Sequence, residues 1–237
     1  MRKMTVEEID KFDLSIYKDV DKLITRFKVK EAYELLMKKV KPEILKNNLE
    51  IKYYYYYLSR TLLLGFHEKD EALKCLKEVE EHINWNEEDY LIDLLIENTI
   101  GIALALKNNK KEAKKYFDIS IEKILSCKIL PEEKYNEAIL ILYNSAKFYS
   151  SLEQHSYAID LFILAVSIAK GLDTFKHLDK VYYEMAFNYA EIGKKEKAAN
   201  SYIYAYTFSN LNNNSLAKKV IKEDAKKFGI NLEIDLT

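Results

Sequence analysis

The sequence predicts an all-α protein: a right-handed α-solenoid of about five helix pairs closed by a C-terminal capping helix. Three observations carry this. Alanine recurs at Ala32, Ala72, Ala113, Ala158 and Ala198, at spacings of 40, 41, 45 and 40 residues, a period in the range of stacked helix pairs. Only 5 Gly and 2 Pro occur in 237 residues, too few for a fold rich in tight β turns. Apolar residues make up 49% and charged residues 32%, which supports a packed core and argues against disorder.

The first pair falls at residues 16–40, where Val20, Ala32 and Leu36 hold packing positions. The second, residues 53–79, keeps Gly65 and Ala72 but places Arg60 where a small residue is expected. The third, residues 95–124, has the clearest pattern. Its first helix carries Ile96, Ile100, Ala103 and Leu104 with Gly101 at a close approach, and Asn108-Asn109 supply the turn. Its second helix carries Ala113, Phe117 and Ile121, a stripe that faces its partner. The fourth repeats this as Ala146-Tyr149 and Ala158-Phe162-Ala165, the fifth as Ala186-Tyr189, Gly193 and Ala198-Tyr202-Ala205. Alanine lets two backbones approach, and the aromatic ring one turn on fills the gap. This alternation resembles the tetratricopeptide framework.

The spacings exceed the roughly 34 residues of the compact repeat. The excess is placed between pairs, at residues 80–90 and 126–136, where Pro131 can open a helix without breaking one. Residues 216–230 form an amphipathic segment with lysines on its polar face, read as a cap. The expected organisation is one superhelical domain over 1–237: a degenerate first repeat at 1–46, the best repeats at 47–215, and the cap at 216–237.

Chemistry finds no seat in the sequence. The histidines His67, His82, His155 and His177 fall in loops or at helix ends, none spaced as a metal ligand pair. Cys75 and Cys127 match no metal or redox spacing and read as small packed side chains. Phosphate-cradling and catalytic motifs are absent, so neither an enzyme nor a cofactor is expected. A formal net charge of −1 gives no global attraction to nucleic acid or membrane. With no signal peptide at the start and no apolar run long enough to span a bilayer, the expectation is a cytoplasmic protein. The run Tyr53–Tyr57 points around a whole helix circumference, so most of it is structural, with Tyr57 assigned to the inner surface.

Function is sought on the first helix of each pair, which lines the concave side of such a solenoid. The third pair offers Leu95, Asn98 and Ile102 there; the fourth Tyr143, Asn144 and Lys147; the fifth Tyr183, Glu184, Phe187 and Asn188. An asparagine can donate to and accept from the main chain of an extended peptide, and the neighbouring rings offer apolar contact. Solvated asparagines on a helix surface are the alternative.

Residues 47–215 resemble the sensor domain of the PlcR-type receptors, in the Gram-positive peptide-pheromone group with Rap, Rgg and NprR. The segments carrying the resemblance are IENTIGIALALKNNKKEAKKYFDISIEKI, LYNSAKFYSSLEQHSYAIDLFILAVSIA and VYYEMAFNYAEIGKKEKAANSY. It implies a sensor that binds a short signalling peptide in its groove, switches by a change of superhelix curvature, and forms a homodimer. It also implies that Asn98 and Asn144 hold the peptide backbone. Glu184 departs from the amide usual in the family, a change that would select a peptide with a basic or amino-terminal group, or mark a different ligand. Receptors of this type begin with a DNA-reading helix-turn-helix, whereas residues 1–46 read as linker helix and first repeat. DNA binding is therefore expected only through a module outside these residues. The competing expectation is a general tetratricopeptide scaffold for a partner protein.

Overall fold

The computed structural model describes residues 15–45, 47–81, 83, 90–126, 135–171 and 174–232. Cys127, Pro131, His82 and most of the two long inter-pair connections lie outside them. Among the described residues the fold is entirely helical, an all-α solenoid of helix pairs. The chain divides into two compact units, residues 1–107 and 108–237.

The first unit holds α1 (Ser15–Thr25), α2 (Val29–Lys39), a 3-10 turn (Pro42–Ile44), α3 (Asn48–Thr61), a π turn (Leu62–Phe66), α4 (Lys69–Glu80) and α5 (Tyr90–Leu106). The second holds α6 (Lys110–Ser126), α7 (Tyr135–Ser151), α8 (His155–Gly171), α9 (Leu178–Glu191), α10 (Lys195–Leu211) and α11 (Ser215–Lys227). Within each unit, helices adjacent in sequence pack against each other, and α5 also packs against α3.

One local device generates the period. Phe27, His67, Asn108, Glu153 and Gly193 all have positive φ, between 60° and 74°, the left-handed geometry that stops a helix. Two residues after each, the second helix of a pair begins. The anchor alanine is then always its fourth residue, with its N–H donated to the carbonyl of the residue before the helix: Lys28, Glu68, Asn109, Gln154 and Lys194. All five alanines are fully buried. Only one of the five left-handed positions is glycine, which explains how so glycine-poor a chain makes these turns. The other four carry the steric cost of a Cβ.

In the first unit, Tyr17, Val20, Ile24, Ala32, Leu36 and Tyr54 form the core of α1–α3. The tyrosine run is absorbed here. Tyr54 and Tyr56 are buried, and Tyr53 and Tyr57 flank Tyr17 at ring distances of 5.5 and 5.4 Å. Arg60, out of place in the repeat pattern, donates to Asp21 Oδ1 at 3.0 Å. Its guanidinium also lies over the rings of Tyr56 and Tyr57, at 5.3 and 5.9 Å. The small position has become a cation site walled by tyrosines. Gly65, in the π turn, has Val29 so close that an added Cβ would come within 3.0 Å of its side chain. Further along, Leu63 of the π turn packs with Ala72 of α4 and Ala103 of α5.

In the second unit, Phe117 of α6 stacks on Phe148 of α7 at 4.4 Å. Ala146, Ala158, Phe162 and Ala165 seal α7 against α8, and Ala186, Ala198, Tyr202 and Ala205 seal α9 against α10; all are buried. The helix α11 caps this array. Asn214 accepts the Ala217 N–H at 3.1 Å, an N-cap bond; Ile221 and Ala225 turn inward.

Candidate functional site

The seven candidate residues on α7 and α9 belong to the second unit; Tyr57, Asn98 and Ile102 belong to the first. In the first unit the polar candidate is covered. Ten consecutive residues of α5, Leu91 to Ile100, are buried, and Asn98 is only 1% exposed. Ile102 is half-buried against the Leu63–Ala72–Ala103 cluster, and Tyr57 is committed to Tyr17 and Arg60.

In the second unit, α7 and α9 leave open a cleft of 660 Å³, lined by Lys147, Ser150, Ser151, Glu153, His155, Glu184, Phe187 and Glu191. Three of the predicted residues, Lys147, Glu184 and Phe187, meet there. Lys147 points from α7 and Glu184 from α9, with 2.7 Å between Nζ and Oε1. These residues lie 37 apart, so the bond ties two successive pairs together. Lys147 also sits 5.6 Å from the Tyr143 ring centre. Burial acts to lower the Lys147 ammonium, but Tyr143 and Glu184 outweigh it and hold the group above the ordinary lysine range. Burial pushes the Tyr143 hydroxyl up to about 12. Tyr143 and Lys147 therefore each stay in one protonation state across physiological pH, and Lys147 balances the Glu184 charge within the protein.

The remaining predicted residues stand behind or beside the cleft. Asn144 is half-buried on α7. Tyr183 donates its hydroxyl to Asp224 on α11, locking the cap to α9. Asn188 is completely buried, and its role is fixed by its bonds. Its Nδ2 donates to the Glu184 carbonyl at 2.8 Å. A carbonyl can only accept, so Oδ1 must be the atom that faces His155 Nδ1, also at 2.8 Å. In the neutral ring the His155 proton then belongs on Nδ1, and Nε2 is left as an acceptor.

His155, Ser150, Ser151, Glu153 and Glu191 were missed from the sequence. His155 is the first residue of α8, the place that Lys110 and Lys195 occupy in α6 and α10. A histidine at a register position held by lysine in three of the other four pairs, Lys69, Lys110 and Lys195, was a legible signal. Its partner Asn188 was not, because it lies on the next helix pair.

The cleft has an apolar floor in Phe187, whose ring meets Phe228 edge-on at 6.0 Å, and a rim of carboxylates, hydroxyls, one imidazole and the Lys147 ammonium. No cluster of His, Cys, Asp or Glu among the described residues could hold a metal ion. No described helix is long and apolar enough to cross a membrane.

Fold and site together define the class: an all-α array of tetratricopeptide-like helix pairs with a polar-rimmed cleft between successive first helices. Solved structures share this fold. PlcR of Bacillus thuringiensis, in complex with the peptide PapR7 and DNA, superposes with a TM-score of 0.75 at 16% identity, over 87% of this chain and 72% of its own. The competence regulator ComR of Streptococcus vestibularis, with its cognate signalling peptide XIP, gives 0.68 at 19% identity over 94% and 100%. TPR-like repeats from Podosopora anserina give 0.55 at 16% identity over 86% and 100%. No family model matches the sequence, and comparison with curated proteins finds no relative.

Proposed function

We propose that this protein is the peptide-binding sensor of a quorum-sensing-type transcriptional regulator, holding a short signalling peptide in the α7–α9 cleft. The observation that carries the reading is the cleft itself. At 660 Å³ it falls within the roughly 300–1,000 Å³ typical of ligand sites. It combines an apolar floor with convergent hydrogen-bonding groups, on helices held rigid by buried alanines and aromatics. Two proteins with this architecture, PlcR and ComR, were solved with peptides named as their partners, which makes a peptide the occupant to test first.

Ligand-linked change of curvature is the switch in this reading. A peptide that bridges α7 and α9 shifts the equilibrium only by its differential affinity for two arrangements of those pairs. The Lys147–Glu184 bond joins the same two helices, so a peptide that redirects either group alters their coupling. Homodimerisation and DNA binding through a further module complete the reading; light scattering during size-exclusion chromatography tests the first.

Native mass spectrometry of the protein taken from its source cells tests the central claim. A peptide-sized adduct is expected on the wild type and not on Phe187→Ser, with far-ultraviolet circular dichroism showing both folded. An adduct that survives the substitution removes the cleft as the site. Capture of a folded protein partner without any peptide supports the scaffold reading instead.

A further inference from the structure

The charges lining the cleft decide which part of a peptide it can hold. Lys147 is the permanent cation of the lining, and Glu184 balances it at 2.7 Å. Glu153 and Glu191 line the same cleft, are both exposed, and form no ion pair among the described residues. The neutral His155 ring presents Nε2 as an acceptor, because the Asn188 carboxamide oxygen takes the Nδ1 proton. The charged groups left over for a ligand are therefore two carboxylates. The neutral imidazole nitrogen and the Ser151 hydroxyl, whose proton goes to the Phe148 carbonyl, add acceptors, and the Ser150 hydroxyl can donate or accept. Phe187 lies beside them as the apolar surface.

A peptide carboxylate placed here would face two carboxylates without an ion pair among the described residues, and the lining itself offers no cation besides the balanced Lys147. The neighbouring Lys110 is held outside it, its Nζ 3.5 Å from the Ser151 carbonyl, so the lining disfavours an anion by repulsion. An ammonium or guanidinium brings the donors that these acceptors lack. Building on the peptide-receptor reading, we infer that the α7–α9 cleft takes the cationic end of the peptide, an amino terminus or a Lys/Arg side chain, next to an apolar residue seated on Phe187. When the cation is the amino terminus, this fixes the direction in which the peptide runs. Asn188 acts as a positioning residue: it touches no ligand but sets which His155 nitrogen does.

Three randomised heptapeptide pools test this on the whole chain by affinity selection: one uncharged in its side chains with free amino termini, the same pool acetylated, and an acetylated pool containing Lys and Arg. Binding of the free-amine pool, or of the Lys/Arg pool, is expected to exceed that of the acetylated neutral pool by about tenfold, the scale of one charge-assisted hydrogen bond. Which of the two wins distinguishes terminus from side chain. The exposed-site double variant Glu153→Gln/Glu191→Gln should lose this preference with an unchanged melting temperature. Equal binding of the acetylated neutral pool, or a preference that persists in the double variant, overturns the cationic assignment and leaves the peptide reading standing. If no pool binds, the peptide reading itself falls, and the inference with it.

Discussion

The same helix-pair framework treats polar residues in opposite ways in the two units. In the first, Lys52 of α3 and Asp93 of α5 pair at 2.8 Å, both fully buried, with Glu97 one turn further along α5 and only 6% exposed. In the second, the corresponding cross-helix pair, Lys147–Glu184, sits at a cleft with side chains 48% and 14% exposed. Both pairs join the first helices of consecutive repeats. A charge pair buried on all sides is committed to its own fold, because either partner left alone is an unsolvated charge. A pair at a cleft wall keeps access to water and to ligand. Repeat register therefore does not make positions equivalent; the packing around them does.

The largest expected effect breaks the buried pair. Asp93→Ala should cost about 3–5 kcal/mol of stability in urea denaturation, whereas Glu184→Ala should cost about 1 kcal/mol or less. Comparable losses at the two sites would erase the contrast between the units.

Next comes packing at the anchors. Ala158→Leu pushes a larger side chain into a fully buried helix contact and should cost about 1–3 kcal/mol, with a matching fall in melting temperature. No loss would mean that α7 and α8 separate without penalty.

Glu97 offers a test by pH. Burial, then the nearby Glu80 and Asp93, pushes its carboxyl from 4.5 to about 7, against the pull of Lys77. Between those values the folded protein holds a proton that the unfolded chain has released. The stabilisation from that proton is complete below pH 4.5 and is lost as pH rises through about 7. Glu97→Gln should flatten that part of the stability profile and raise stability at pH 8 by about 1–3 kcal/mol. An unchanged slope would show that Glu97 is solvated like the acids of the cleft.

The smallest effects lie in the turns. Gly193 has φ +74°, so Gly193→Ala should cost about 1 kcal/mol. At the equivalent place in the first unit, His67 has φ 60°, and His67→Gly should gain at most about 1 kcal/mol, because glycine's greater unfolded entropy offsets part of the relief. Thermal denaturation of the two variants should move in opposite directions.

Much of the fold was legible because each determinant is local. The left-handed turn, the helix start two residues later and the alanine at its fourth position lie within seven residues, so one period fixes five pairs. Arg60 looked like a defect in that period. Its reason, Asp21, is 39 residues away and cannot be read from the repeat itself. The candidate site divided in the same way. Lys147, Glu184 and Phe187 follow from helix phase alone, and they do line the cleft. Asn98 and Asn188 share that phase but are buried, since exposure depends on what neighbouring helices cover. His155 was passed over as a helix-end residue because its meaning lies in the carboxamide of Asn188.

The sequence by itself determined the class of fold, the register of the pairs and the faces that pack, because short-range periodicity controls all three. Only the tertiary structure decided which polar side chains became buried supports and which stayed open to a ligand. Those outcomes depend on desolvation and on hydrogen bonds between residues about 30 to 40 positions apart, and the period of the alanines carries no record of them.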